Sequence, residues 1–250
     1  MSDSNYYTPA IGFSTGALER GDYKAALSWL RKNKIDSVEI SALRFSELEP
    51  LIHDLDELPV EDFKYVSFHA PSSFEAEQED EVVALLDPVF KRGWNIVVHP
   101  DVIRKPALWQ HFGGQLLIEN MDRRKAVGRT VDEMEFAFSR LPKARMCLDV
   151  AHARQLDTTL TLLSELLKRF IGRIAEVHIS ELDSRCQHVP MSWRAVEDYR
   201  MLHWWGGDSH VPVIIESMLE GESTKLRKDE FALARKAFEG KLDGMAHTTR

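Results

Sequence analysis

A short apolar run, Arg145-Met-Cys-Leu-Asp149, closes on a carboxylate, and His152 follows three residues later. A carboxylate at a strand end and an imidazole just beyond it point an oxygen and a nitrogen ligand into one space. Alone, an Asp in that position is more often a turn former or a helix cap. The pattern gains weight by repetition. Glu39 lies near the end of the run Ser37-Val-Glu-Ile-Ser41, His69 ends a run beginning at Tyr65, and His99 ends one beginning at Trp94. Glu119, His178 and Glu216 end the runs that begin at Leu116, Ile174 and Val211, and His188 lies in the loop after His178. Each has an ordinary reading as a turn residue or a satisfied core group. Chance, however, would scatter such residues through helices and loops rather than set them on consecutive strand ends. Oxygen and imidazole donors without a cysteine cluster suit a divalent ion such as Mn, Zn, Co, Mg or Fe, and carboxylates can bridge two ions.

The elements that must position these residues follow an alternating order. Ala10-Ile-Gly-Phe-Ser-Thr15 reads as a first strand, and the seven runs above supply the rest. Between them, apolar residues recur at helical spacing: Tyr23, Ala26, Leu27 and Leu30; Leu48, Leu51, Ile52 and Leu55; Val82, Leu85, Leu86 and Val89. Thr130 with Glu133 makes a capping-box pattern. Asp157 precedes an amphipathic stretch with Leu160, Leu163, Leu167 and Phe170, and a last helix carries Leu226, Phe231, Ala234 and Phe238. Strands alternating with helices indicate parallel βα units. In one domain of this size they close as a (β/α)8 TIM barrel, expected over residues 1–240, with 241–250 a loose tail. No Gly-x-Gly-x-x-Gly turn follows any strand, which argues against a doubly wound dinucleotide fold. In such barrels the active site lies at the C-terminal strand ends, where the ligand-type residues fall.

The 250 residues are 44% hydrophobic and carry a formal net charge of -8. That acidic balance argues against nucleic acid as the default partner, because phosphate neutralisation supplies most of such affinity. Nothing approaches the roughly 18 apolar residues of a membrane span. The opening Met-Ser-Asp-Ser-Asn-Tyr-Tyr is unlike a signal peptide. The two cysteines, Cys147 and Cys186, make no disulfide framework, so a reducing cytoplasm is expected.

As a set, Phe68-His-Ala-Pro71, Val97-Val-His-Pro100, Ile118-Glu-Asn120, Cys147-Leu-Asp-Val-Ala-His152, Val177-His-Ile-Ser180 and Ile214-Ile-Glu216 resemble the xylose isomerase-like, AP endonuclease family 2 barrels. That superfamily includes endonuclease IV and many sugar isomerases and epimerases. By this resemblance, Glu119, Asp149, His178 and Glu216 match a four-ligand metal site. His69 and His99 match the extra histidines of an endonuclease IV-like cluster, and His152 and His188 two ligands of its third metal. Where that family has an Asp two residues before the last His, this chain has Cys186; a thiolate also binds zinc or iron, and Asp183 is an alternative donor. The resemblance thus implies one to three ions per chain and two chemistries. In an isomerase or epimerase, the favoured expectation, Glu119 and Glu216 would move a carbon-bound proton, with His152 on a small sugar-like substrate. In a hydrolase, two or three ions would cleave a phosphate ester. An oxidative enzyme with clustered iron is a third.

Outside the ligand set, Ser72-Ser-Phe-Glu-Ala-Glu-Gln-Glu-Asp80 replaces the wedge segment of DNA repair members and is too acidic to approach a duplex. Asp122-Arg-Arg-Lys-Ala-Val-Gly-Arg129 offers Arg123 and Arg124 as a clamp for an anionic substrate, or simply a solvated helix start. Glu39 and Arg185 are further candidate substrate contacts. The segment from Met191 to Gly207, with Trp193, Tyr199, Trp204 and Trp205, reads equally as a lid over substrate or as a homodimer contact.

Overall fold

The computed structural model describes residues 9–202 and 211–238 of the chain. Eight parallel strands close into a barrel: β1 (Ile11–Ser14), β2 (Ser37–Ser41), β3 (Tyr65–His69), β4 (Asn95–Val98), β5 (Leu116–Glu119), β6 (Arg145–Asp149), β7 (Ile174–Ile179) and β10 (Val213–Ile215), which pairs back onto β1. Between β7 and β10, β8 (Glu181–Leu182) and β9 (His188–Val189) form a small antiparallel hairpin. The (β/α)8 expectation holds, with each strand within two residues of its expected ends. The N-terminal stretch Met1–Tyr7, Trp204 and Trp205, and the expected tail Lys241–Arg250 lie outside the described residues. No described helix is long and apolar enough to cross a membrane.

The helices form where apolar spacing predicts them. Helix Tyr23–Lys32 buries Ala26, Leu27 and Leu30, and helix Thr161–Phe170 buries Leu163, Leu166, Leu167 and Phe170, in each case one face at i, i+3, i+4 spacing. Helix Val131–Arg140 starts with the Thr130 hydroxyl accepting the Glu133 N–H. The reciprocal half of the capping box differs. Glu133 reaches past the cap to accept the N–H of Arg129 at 2.7 Å.

Side chains alternate across a strand, so the barrel has two distinct interiors. Outward-facing Phe13, Ile40, Phe68, Ile96, Ile118, Leu148, Val177 and Ile215 pack beneath the helices in one continuous apolar core. Within the lumen, Val97, Leu117, Cys147 and Ala175 form only a small separate cluster. The rest of the lumen is polar, with Glu39, Ser67, Glu176 and His178 all fully buried. Burying such groups is costly unless each finds a partner, and here they support a site above them. One close approach fixes the wall: a Cβ on Gly12 would lie 1.9 Å from the Ser37 carbonyl oxygen, so β1 can meet β2 there only with glycine.

Candidate metal centre

Glu119, at the end of β5, is 1% exposed and is the hub of the site. Its Oε2 lies 3.3 Å from His69 Nε2 and 3.2 Å from His99 Nε2. Its Oε1 faces the other way, 3.6 Å from His178 Nδ1 and 3.4 Å from His152 Nδ1. Four overlapping groups of ligand-type atoms result among the described residues, each within 4.8 Å internally: His69, His99 and Glu119; Glu119, Asp149, His178 and Glu216; Asp149, His152 and His188; and, deeper in the lumen behind His178, Cys147, Glu176 and His178. The strand ends thus bring together all eight residues expected to ligate.

Asp149 serves as cap and candidate ligand at once. Its Oδ1 accepts the His152 N–H at 2.6 Å and opens helix Val150–Leu156, while its Oδ2 is buried without a hydrogen-bond partner. The imidazoles are similarly committed on one side only. His69 Nδ1 donates to the Ala70 carbonyl at 2.7 Å and His152 Nδ1 to the Asn120 carbonyl at 2.8 Å, because a carbonyl can only accept. Each then turns Nε2 toward the carboxylates, His69 Nε2 to Glu119 Oε2 at 3.3 Å. His178 is turned the opposite way, with Nε2 on Glu176 at 2.8 Å and a buried, unpartnered Nδ1 that lies 3.3 Å from Glu216 Oε2. Orphaned acceptors such as Asp149 Oδ2 and His178 Nδ1 are costly without a cation between them, and they fit one. A partner behind His69, His152 and His178 is also how metal-binding histidines are held, whereas His99 Nδ1 is buried without one.

The electrostatics point the same way. Burial pushes the carboxyls of Asp149 and Glu39 up, with Glu119 and Glu216 adding repulsion at Asp149. Against the same burial, His178, His69 and His99 hold Glu119 well below the usual carboxylate range, and His178 and His188 hold Glu216 down. Burial would lower His69, but Glu39 and Glu119 raise it to about 9. Three carboxylates, Glu119, Asp149 and Glu216, therefore share a buried space that requires positive charge. One dication would leave that trio at net -1.

Above the donors opens a cavity of about 180 Å³ lined by His69, His99, Glu119, His152, His188 and Glu216, with Ser14, Asp122, Arg124 and Lys125 on its wall. Asp122 grips Arg124 through Nε at 2.9 Å, and Lys125 Nζ bonds Asp101 Oδ2 at 2.8 Å. Lys125 and Asp122 were not singled out from sequence, where they are two members of a charge run. The other expected contacts lie elsewhere. Glu39 is fully buried behind His178 and off the cavity wall, 3.2 Å from Nε2, so it backs that imidazole instead of facing the cavity. Arg123 is drawn to the Ser184 carbonyl, and Arg185 donates its N–H to Asp183; neither lines the cavity. Asp183 spends its Oδ1 on the N–H groups of Arg185 and Gln187, which shapes the β8–β9 turn. Cys186 is buried in that turn at φ +60°, outside the four ligand-type groups among the described residues. Trp193, 57% exposed, lies under Lys236 Nζ at 4.8 Å from the ring centre and away from the cavity wall.

No protein-family model matches the sequence, and no curated protein matches it. Solved structures match the fold. Endonuclease IV from Thermus thermophilus superposes with a TM-score of 0.60 at 17% identity, covering 90% of this chain and 99% of that one. A xylose isomerase-like TIM barrel protein from Mycobacterium smegmatis, in complex with magnesium, gives 0.58 at 12% identity, covering 95% and 99%. A xylose isomerase domain protein from Planctomyces limnophilus gives 0.54 at 11% identity, covering 94% and 97%.

Proposed function

With the fold of xylose isomerase-like barrels as premise, we propose that the chain is a metal-dependent hydrolase of small phosphate esters that uses two or three divalent ions. The observation that carries this is the divided Glu119 carboxylate, with one oxygen toward His69 and His99 and the other toward His178. Bridging of that kind serves a centre with more than one ion, whereas enolisation about a single ion needs only Glu119, Asp149, His178 and Glu216. Ions bound there would polarise a phosphoryl oxygen and acidify an attacking water. Lys125 and the Asp122-braced Arg124 draw an anionic group onto the cavity wall and orient it. Glu216, 15% exposed at the side chain, is positioned to take a proton from water.

The complete four-ligand set supports a second reading, proton transfer on a sugar-like substrate with Glu119 and Glu216 as base and acid. One pair of assays separates the two. Hydrolysis predicts phosphate release from small phosphomonoesters and diesters by zinc- or manganese-loaded protein. Deuterium exchange from solvent into aldoses or ketoses, with no phosphate release, would favour the isomerase instead.

A further inference from the structure

Beneath the centre, every donor in one chain of hydrogen bonds, running from the exposed end of the barrel into its buried lumen, points the same way. Arg145, at the exposed start of β6, donates from Nη2 to Asn95 Oδ1 at 2.9 Å. A guanidinium has donors only, so this fixes which face of the Asn95 amide turns inward. Asn95 Nδ2 then donates to the Tyr65 hydroxyl at 3.0 Å. With its oxygen accepting there, Tyr65 turns its O–H onto Glu176 Oε2. The other Glu176 oxygen accepts from His178 Nε2 at 2.8 Å, and His178 Nδ1 has no protein hydrogen-bond partner. Glu39 Oε2, though 3.2 Å from the same nitrogen, makes no hydrogen bond to it.

We propose that Glu176 is a positioning residue that keeps the His178 proton on Nε2 and so presents Nδ1 as the ligand atom, with the direction set from the far end of the barrel by Arg145 through Asn95 and Tyr65. The inference rests on the reading of His178 as a metal ligand. It predicts more than a general supporting role. Because the Tyr65 hydroxyl must donate to position 176, the amide of Glu176→Gln turns its carbonyl to Tyr65 and its NH2 to His178. Nε2 is then forced to accept, the proton moves to Nδ1, and the ligand atom is blocked. Removing the hydroxyl as well, in Glu176→Gln/Tyr65→Phe, frees the amide to flip and offer its carbonyl to His178.

The test is zinc affinity of the full-length chain by competition with a chromophoric chelator, for wild type, Tyr65→Phe, Glu176→Gln and the double variant. Circular dichroism checks the fold of each. Zinc-loaded wild type labelled with 15N-histidine is examined by NMR in parallel. Glu176→Gln is expected to weaken zinc binding roughly ten- to hundredfold, and the double variant to return to the level of Tyr65→Phe. The NMR spectrum is expected to show the His178 proton on Nε2, a readout that needs no variant to fold. Zinc affinity of Glu176→Gln equal to wild type, a double variant no tighter than the single one, or a His178 proton on Nδ1 overturns the proposal while leaving the metal centre standing. A wild type that binds no zinc overturns the metal reading and this inference together.

Discussion

Glu119→Gln isolates the bridging carboxylate. The change preserves shape, removes one negative charge, and turns one oxygen into a donor at a position 1% exposed. The native oxygens serve two sides, Oε2 toward His69 and His99 at 3.3 and 3.2 Å and Oε1 toward His178 at 3.6 Å. An amide can offer its oxygen to only one of them, so the other ligand group loses its shared donor outright. Breaking one side of a buried charge pair costs about 3–5 kcal/mol. At about 1.4 kcal/mol per tenfold, this is roughly two to three and a half orders of magnitude in affinity for the ion on that side. Metal analysis after dialysis should find one ion fewer per chain than in wild type, with phosphate release abolished and far-UV circular dichroism unchanged. Metal content and affinity equal to wild type would refute the bridging role.

Two further substitutions probe the cavity wall and the barrel. Lys125→Met removes a cation from the wall while Asp101, 25% exposed at its side chain, can turn to water; KM for a phosphate ester should rise roughly tenfold, about 1.4 kcal/mol, with kcat nearly constant. A fall in kcat at unchanged KM would contradict a binding role. Gly12→Ala places a methyl 1.9 Å from the Ser37 carbonyl oxygen, and overpacking of this kind costs about 3 kcal/mol or more. The thermal midpoint should fall by roughly 6–12 °C, and an unchanged midpoint would mean that β1 and β2 separate freely.

The fold was legible because parallel barrel strands are apolar on the face that meets the helices, so even β4 and β5, four residues each, stand out. The cluster of ligand-type residues was legible because most of its members end strands, where an ionisable residue after an apolar run is conspicuous. What escaped the sequence lies one layer down. Glu176 is two residues before His178 and shares its face, so the alternation of the strand carried the signal. Tyr65 and Asn95, however, each begin a strand on a neighbouring part of the wall, and only the closed barrel brings them to Glu176. Glu39 was read as facing substrate because its strand end points toward the site, but it sits deep enough to meet the back of His178. Arg123, Arg185 and Asp183 are drawn into the β8–β9 turn by local backbone partners, which residue type alone does not reveal.

The central claim is a centre built for more than one ion. It is tested most directly by native mass spectrometry of the chain purified without chelator and reloaded with zinc, manganese or iron. Two or three ions per chain are expected. A single ion, held with His69 and His99 uninvolved, would contradict the account.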